Sequence, residues 1–242
     1  MESIQLIWQG DSIELCQRFQ AKKMIKAVIT DPPFGVDNQS NMAVTASGKA
    51  HARKIANDES PEIAIATFQA VMKSLIPAMV WDSDIYVFTS YQVLKEWLVM
   101  CDDFFGDYQF KRDSVIVWGK DGPGMGDLEN PFGMGMEFIL FYRRGRQEKR
   151  IQRRNAIIQI PQLRPEDLIH PHEKPEALLE LFIKASTDPG DWIVDPFGGS
   201  CSLARAGRNV GRSVVCIEYD EYNAAEAQRK FDATAGAGMD FD

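Results

Sequence analysis

The sequence predicts an α/β protein with a doubly wound, mostly parallel seven-stranded sheet. Segments rich in β-branched and aromatic residues recur along the 242 residues, and helical patterns lie between many of them. The seven strand-like segments are SIQLIWQ, KAVITD, DIYVFTS, SVIVWG, EFILFYR, WIVDP and SVVCIEYD. Strands that alternate with helices indicate a parallel sheet covered on both faces.

Two of the connecting segments have clear helical periodicity. Apolar residues recur at helical spacing from Pro61 to Val80 and again from Pro175 to Ala185. SVIVWG and EFILFYR are instead joined by the Gly-rich and Pro-rich stretch KDGPGMGDLENPFGMGM. We therefore expect these two strands to pair as an antiparallel hairpin at one edge of the sheet.

Length and composition favour one domain over residues 1–242, with 45% hydrophobic residues to fill its core. No window approaches the roughly 20 apolar residues of a membrane span, and the N-terminus does not have the pattern of a signal peptide. We expect a cytoplasmic protein with reduced thiols and no metal, because its cysteines lack CxxC spacing and its histidines are few. These residues are Cys16, Cys101, Cys201, Cys216, His51, His170 and His172.

The charge pattern leaves the partner open. A net charge of −8 argues against nucleic acid, yet residues 143–154, RRGRQEKRIQRR, carry +6 and the rest of the chain −14. Taken alone, this run fits a solvated surface turn as well as a nucleic-acid contact. Residues 37–60, polar with small side chains, and residues 143–170 have weak structural patterns and are predicted substrate loops.

Acidic residues follow four of the predicted strands. Ligands of doubly wound sheets bind beyond the carboxyl ends of the strands, so these acids predict a cationic or donor-rich ligand. The acids are Asp11, Asp31, Asp195, Glu218 and Asp220.

The stretch DPFGGSCSLARAGRNVGRSVVCIEYD, residues 195–220, has the features of a cofactor site. Gly198 and Gly199 let the backbone approach a ligand, and a helix begins directly after them. Glu218 stands at the end of the next strand, where it can bridge two ribose hydroxyls. This spacing favours an adenosine-containing cofactor over a dinucleotide, since GxGxxG is absent. A glycine turn with a capping acid remains the structural alternative.

The stretch AVITDPPF supplies a second site element. Asp31 and the carbonyl of Pro32 offer two acceptors held by rigid prolines, and Phe34 offers a flat apolar face. Two acceptors beside an aromatic ring suit a planar ring that bears an amino group. The alternative is that Asp31 only caps a turn.

Four motifs occur in a fixed order: DPPFG at 31–35, HPHEKPEALLELFI at 170–183, DPFGGS at 195–200 and GRSVVCIEYD at 211–220. In this combination the chain resembles the permuted, β-class amino-methyltransferases of DNA. The resemblance extends from residue 9 to Asp220. It implies a Rossmann-like fold in circularly permuted order, with S-adenosylmethionine as methyl donor and S-adenosylhomocysteine as product.

The resemblance also implies roles for individual residues. The catalytic pocket for a flipped base would comprise Asp31, Pro32, Pro33 and Phe34. The cofactor would contact Asp11, Asp31, His170, Lys174, Asp195, Phe197, Gly198, Gly199, Ser200, Glu218 and Tyr219. For His170 and Lys174, a simple helix entry before Pro175 is the alternative. Cys201 departs from the family pattern, which has a third small residue there.

Within the resemblance, DPP[YF] goes mostly with N6-adenine enzymes and SPP[YF] with N4-cytosine enzymes, so adenine is the expected target. The basic run lies where the family carries its target-recognition sequence, which favours duplex DNA as the partner. The expected DNA contacts are Arg143, Arg144, Arg146, Lys149, Arg150, Arg153 and Arg154.

Other functions remain open at this point. They are N4-cytosine methylation, methylation of an amino group in RNA or protein, and a catalytically inactive subunit that binds DNA or cofactor. The recognition insert is short, which leaves room for a homodimer, and the resemblance is compatible with a cognate restriction enzyme.

Overall fold

The computed structural model describes residues 3–19, 22–36, 55–122, 131–146, 148, 150–164, 167–168 and 173–235. Within these residues, eight strands form one sheet. The strands are β1 (Gln5–Gln9), β2 (Ile25–Thr30), β3 (Met79–Thr89), β4 (Lys111–Gly119), β5 (Met136–Arg144), β6 (Ile157–Gln159), β7 (Trp192–Asp195) and β8 (Ser213–Glu218).

Six α-helices lie in the described part of the chain. They are α1 (Ser12–Cys16), α2 (Pro61–Leu75), α3 (Leu94–Asp107), α4 (Glu176–Ser186), α5 (Ser202–Asn209) and α6 (Glu221–Ala235). None of these described helices has the length and apolar character needed to span a bilayer.

The strand order is β1-β8-β7-β2-β3-β5-β4-β6. Among the described strands, β5 is antiparallel to both of its neighbours, while every other pairing is parallel. The mostly parallel, doubly wound sheet predicted from the sequence is therefore confirmed.

The sheet differs from the prediction in its number of strands and at its edge. The eighth strand, β6, pairs with β4, so the β4–β5 hairpin lies one strand inside the edge. Only three residues form β6, and Ile157 is 56% exposed. Such a short, partly solvated strand gives no recognisable alternation of apolar and polar residues.

The helix predicted over 61–80 ends earlier than its apolar periodicity suggested. α2 stops at Leu75, a 3₁₀ turn covers Ile76–Ala78, and β3 begins at Met79. Pro77 lies within that turn, and a proline has no amide hydrogen for a helical hydrogen bond. Apolar residues continue through the boundary because both elements face the core.

The core consists of two clusters of buried residues, one on each face of the sheet. On one face α2 and α3 contribute Phe68, Trp97 and Phe105. On the other face Phe182 of α4 stacks on Tyr86 with ring centroids 4.8 Å apart, and Tyr86 stacks on Phe141 at 4.3 Å. Both faces are therefore packed against helices, as a doubly wound sheet requires.

A buried ion pair connects α5 to the segment that precedes α4. The guanidinium of Arg205 is 1% exposed and pairs with Glu173, which has no exposed side-chain area. Arg205 also donates to Glu176 Oε1 at 2.7 Å and to the carbonyl of Ser200 at 3.1 Å. These contacts hold the glycine turn before α5 close to the start of α4.

The first prediction concerns this ion pair. Arg205→Leu removes the main counter-ion of a buried carboxylate, so the free energy of unfolding falls by about 3–5 kcal/mol. Arg229→Leu is the control, because Arg229 lies on α6, is 67% exposed and pairs only at the surface with Glu226. Its cost stays below about 1 kcal/mol. Urea unfolding followed by circular dichroism measures both; equal losses would contradict this role of Arg205.

Candidate functional site

The acidic residues predicted at strand ends converge at one edge of the sheet. Asp31 follows β2, Asp195 ends β7, Glu218 ends β8, and Asp11 lies two residues beyond β1. These four strands are adjacent and parallel, so their carboxyl ends meet at the same rim. A cleft at this rim is lined by Ile29, Thr30, Asp31, Phe88, Lys174, Leu179, Asp195, Phe197, Gly198, Gly199, Ser200 and Ser202.

The DPPF segment is held in place by contacts from two other parts of the chain. The backbone N–H of Gly35 donates to Oδ1 of buried Asp58 at 2.7 Å, and Trp97 donates its ring N–H to the carbonyl of Phe34 at 3.3 Å. Gly35 has φ +82°, and a Cβ there would lie 2.3 Å from the nitrogen of Pro61. The glycine of DPPFG is thus required both by its conformation and by the close approach of α2.

Lys174 connects Asp31 to the antiparallel strand. Its Nζ lies 2.5 Å from Asp31 Oδ2 and 3.2 Å from Glu137 Oε2, and its side chain is 7% exposed. Lys120 pairs with the other oxygen of Glu137 at 2.5 Å. The result is a row of charges that alternate in sign, from Asp31 through Lys174 and Glu137 to Lys120.

Burial and charge act in opposite directions in this row. Burial lowers the pKa of Lys174, but the carboxylates of Asp31 and Glu137 outweigh it and raise that pKa above its usual range. Burial likewise raises the pKa of Glu137, but Lys174 and Lys120 outweigh it and bring it down to about 2. Both groups are therefore charged at neutral pH.

The glycine turn between β7 and α5 is bound to the end of β8. Gly198 donates its N–H to the carbonyl of Ile217 at 2.8 Å, and Gly199 donates to Glu218 Oε2 at 2.7 Å. Gly199 has φ +51° and Cys201 has φ +49°. Cys201 therefore adopts the left-handed conformation that favours glycine. The turn forms although a cysteine stands where the family has a third small residue.

Asp195 is a buried acid at the end of β7, which lies between β2 and β8 in the sheet. Its Oδ1 accepts hydrogen bonds from the hydroxyl of Thr30 at 2.8 Å and from the N–H of Phe197 at 3.0 Å. Burial raises its pKa to about 7 despite these bonds, and the charges of Asp31 and Glu218 add to the increase. Asp195 thus changes charge near neutral pH.

Glu218 uses both carboxylate oxygens to order the backbone around it. Oε2 accepts from Gly199 and Oε1 accepts from the N–H of Asp220 at 2.8 Å. Burial raises the pKa of Glu218, while these amide hydrogen bonds oppose the rise. The next residue, Tyr219, is 64% exposed at the rim of the cleft.

The remaining residues predicted to bind cofactor lie around this turn. Asp11 caps α1 by accepting from the N–H of Ile13 at 2.7 Å, and Ser12 donates its hydroxyl to the carbonyl of Pro196 at 2.6 Å. Phe197 stacks on Phe68, and Ser200 is buried in the turn. His170 lies outside the described residues.

The basic run does not reach this rim. Arg143 and Arg144 end β5, where they pair with Asp84 and Ser83 of β3. Asp84 is level with Ala27 of β2, which puts the two arginines roughly 13 Å from the rim along the strand direction. The DPPF segment and these two arginines therefore lie at opposite ends of the sheet.

Several arginines of the run bind carbonyl or carboxylate groups elsewhere in the protein. Arg144 is 9% exposed and donates to the carbonyls of Val80, Trp81 and Tyr108, so the predicted DNA contact is corrected to a packing role. Arg143 pairs with Asp84, and Arg150 pairs with Asp188 and Glu148. The side chains of Arg153 and Arg154 are exposed.

The run has two other members. The backbone N–H of Arg146 donates to Asp82 Oδ1 at 2.7 Å. Lys149 lies outside the described residues.

Sequence reasoning missed four residues that shape the site: Thr30, Asp58, Lys120 and Glu137. The acids at the ends of parallel strands were recognised because those ends share one rim. Glu137 stands at the start of a strand, and its place at the same rim depends on the reversed direction of β5. Only the pairing of β5 with β3 and β4 reveals this position.

The fold and the site define the class of the protein as an α/β transferase in which a glycine turn lies beside the DPPF segment. The chain belongs to the N6_N4_Mtase family, described as DNA methylase, whose family model matches residues 25–229. The resemblance inferred from the four motifs is therefore confirmed.

Two relatives illustrate the range of similarity. The type II methyltransferase M2.MboI of Moraxella bovis is 26% identical over 240 residues, which cover 88% of this chain and 82% of that protein. The DNA adenine methyltransferase YhdJ of Escherichia coli K12 is 38% identical over 66 residues, which cover 27% of this chain and 22% of that protein.

Solved structures share the fold. The cytosine-N4-specific PvuII DNA methyltransferase has a TM-score of 0.73 at 18% identity, covering 96% of this chain and 87% of that one. A complex of M1.HpyAVI with S-adenosylmethionine has a TM-score of 0.68 at 22% identity, covering 94% of this chain and 100% of that one. These comparisons establish the architecture and leave the target base to be decided.

The second prediction tests the glycine turn. A Cβ at position 198 would lie 2.9 Å from the sulfur of Cys201 and 3.1 Å from the carbonyl oxygen of Ile217. Gly198→Ala therefore lowers the free energy of unfolding by about 1–3 kcal/mol.

Gly106→Ala is the matched control, because position 106 lies in α3 with open space around it. Alanine favours the helix there and raises the free energy of unfolding by up to about 1 kcal/mol. Chemical unfolding of both variants measures the two effects, and a stabilised Gly198→Ala would exclude the steric constraint.

Proposed function

We propose that this chain transfers a methyl group from S-adenosylmethionine to the N6 amino group of an adenine flipped out of duplex DNA. One observation carries the proposal: Asp31, held by Lys174, lies in the same cleft as the Gly198–Gly199 turn. An acceptor for an amino group and a cradle for a cofactor thus meet at one rim of a DNA methylase fold.

The residues of the cleft suit S-adenosylmethionine. The close approach of Gly198 to Cys201 and Ile217 leaves no space for a side chain, so the backbone itself lines the cradle. Asp195 would face the cationic methionine half, Glu218 would hold the ribose hydroxyls, and Asp11 would lie near the adenine. The sulfonium of the cofactor supplies an activated methyl group, so the reaction needs no metal.

The protein must make an exocyclic amino group a better nucleophile. The lone pair of that nitrogen is delocalised into the ring, which lowers its reactivity. When Asp31 and the carbonyl of Pro32 accept hydrogen bonds from its two N–H groups, they favour a more tetrahedral nitrogen. They also stabilise the positive charge that develops during attack. Phe34 would stack on the ring. After transfer, the amino proton passes to Asp31 or to water.

Adenine is favoured as the target by the DPPF sequence at Asp31 and by the name of one relative. The YhdJ protein is a DNA adenine methyltransferase, and its match to this chain is local. The PvuII enzyme has the same fold and is cytosine-N4-specific. If the methylated product were N4-methylcytosine, the proposed target base would be wrong, but the reaction would still be methyl transfer to an amino group of DNA.

DNA contacts are proposed for the exposed part of the basic run, Arg153 and Arg154. Both side chains are exposed, and the run has the position of the family's target-recognition sequence. They precede the amino end of β6, which points away from the rim, so they would contact the duplex at a distance from the flipped base. Because the recognition insert is short, a second copy of the chain or a cognate restriction enzyme remains a proposed partner.

The third prediction tests the reaction itself. Purified protein with labelled S-adenosylmethionine labels duplex DNA, and nucleoside analysis finds N6-methyladenine. Asp31→Ala lowers turnover by at least about 10²-fold, because it removes an acceptor for the developing charge. Calorimetry finds cofactor binding retained. Loss of cofactor binding in this variant would show that the catalytic and cofactor residues were misassigned.

The fourth prediction follows from the raised pKa of Asp195. With a pKa of about 7, this carboxyl is half protonated at neutral pH in the free protein, and a cationic ligand favours its ionised form. Binding therefore releases a proton, and cofactor affinity rises about tenfold from pH 6 to pH 8. Calorimetry across this range measures the slope, and Asp195→Asn flattens it. An affinity independent of pH in the unaltered protein would contradict the linkage.

The fifth prediction concerns the basic run. Replacing both Arg153 and Arg154 by Gln reduces the slope of log affinity for DNA against log salt by about 1–2, since each phosphate contact contributes about 0.9. The matched control replaces Lys23 and Lys73, two exposed cations before β2 and near the end of α2, and leaves the slope unchanged. Equal slopes in all three proteins would assign the run to a solvated surface.

A further inference from the structure

We propose that Glu137 and Lys120 position the catalytic carboxylate of Asp31, acting through Lys174. The inference rests on the function proposed above, since it concerns the same carboxylate. Four charged side chains from four parts of the chain alternate in sign across the cleft rim, and their formal charges sum to zero. They are Asp31 after β2, Lys174 before α4, Glu137 on β5 and Lys120 after β4.

Lys174 is the centre of this arrangement. Its ammonium lies between Asp31 Oδ2 at 2.5 Å and Glu137 Oε2 at 3.2 Å. The ring of Phe88 lies beneath it, with the centroid 5.1 Å from Nζ. Because the side chain is 7% exposed, water cannot replace either carboxylate. The ammonium is therefore confined, and it confines the oxygen of Asp31 that it contacts.

Glu137 fixes the position of Lys174. It is the second residue of β5, and its backbone pairs with Trp118 of β4. Lys120 holds its other oxygen at 2.5 Å and lies 5.0 Å from the ring centroid of Trp118. The two lysines keep the pKa of Glu137 at about 2 against the effect of burial, so the anchor remains charged at every working pH.

Two carboxylates around one ammonium have a chemical consequence for Asp31. With Glu137 present, the positive charge of the ammonium is shared between two acids, and Asp31 retains capacity to accept an amino group of the base. Without the charge of Glu137, Lys174 would pair with Asp31 alone and compete with the base for its oxygens. Glu137 and Lys120 touch no reacting atom in this scheme and are positioning residues.

The same arrangement sets the pH at which Lys174 loses its proton. Among the described residues, Asp31 and Glu137 pair with Lys174, and Asp195 at the end of β7 lines the same cleft. Lys120 lies beyond Glu137, and the neighbouring Glu173 pairs with Arg205. Removing the negative charge of Glu137 leaves fewer anions around a buried ammonium. Deprotonation then occurs at lower pH.

The first test is Glu137→Gln, measured by single-turnover methyl transfer in the preformed complex with cofactor and DNA. The rate constant falls by about 10²-fold, the loss that a small misplacement of a reacting group causes. The dissociation constants for cofactor and DNA stay within about threefold of those of the unaltered protein. Glu137→Asp, which keeps the charge of the anchoring residue, recovers part of the rate.

Glu96→Gln is the control, because Glu96 is exposed on α3 and lies outside the cleft. It leaves the rate and both dissociation constants unchanged. A Glu137→Gln variant with an unchanged rate, or with a slower rate that Glu137→Asp does not recover, would overturn the proposal.

A second variant guards against loss of folding. Lys120→Gln combined with Glu137→Gln removes two opposite charges together, so no new net charge is buried. The rate of this double variant also falls, because the carboxylate of Glu137 is again absent and Lys174 pairs with Asp31 and not with residue 137. A double variant as fast as the unaltered protein would overturn the proposal.

A measurement without catalysis completes the test. In protein labelled at the lysine Cε with ¹³C, and assigned by Lys174→Arg, the Lys174 resonance at neutral pH shifts in both variants, because the ammonium loses one of its two carboxylate partners. An unchanged resonance would overturn the positioning role. Absence of methyl transfer by the unaltered protein would instead overturn the proposed function, and this resonance would still decide the role of Glu137.

Discussion

The repulsion between carboxylates in a poorly hydrated cleft is the constraint on which the rest of this structure depends. A parallel sheet brings the ends of neighbouring strands together, and Asp31, Asp195 and Glu218 stand at three of those ends. Burial penalises charge at each of them. Each acid is therefore given its own compensation: Lys174 for Asp31, the hydroxyl of Thr30 for Asp195, and backbone amides for Glu218.

The three compensations produce three different carboxyl groups from similar residues. Asp31 is beside a full positive charge, which favours a carboxylate that can accept N–H bonds. Within the described residues, Asp195 receives neutral donors and has a pKa of about 7, so its charge changes near neutral pH. Glu218 is tied to the N–H groups of Gly199 and Asp220, so it couples the glycine turn to the end of β8. The environment of each acid gives it a different chemical capability.

The reversed direction of β5 matters for the same reason. In a wholly parallel sheet the first residues of β5 would lie at the far rim, away from Asp31. Because β5 is antiparallel to β3, Glu137 lies at the rim that bears Asp31, while Arg143 and Arg144 lie at the opposite one. One strand thus places a carboxylate beside Lys174 and part of the basic run away from the cleft.

The sequence by itself determined the class of fold, the order of its motifs and the acids at the ends of the parallel strands, because these depend on local patterns. Strand ends in the segments KAVITD and WIVDP placed Asp31 and Asp195 correctly, and DPPFG with DPFGGS indicated the family. Only the tertiary structure decided which charges meet. Lys174 is 143 residues from Asp31, and the role of Glu137 depends on strand direction. Arg144 looked like a DNA contact because a run of charges normally faces solvent, whereas its burial against Trp81 and Phe110 depends on residues distant in the chain.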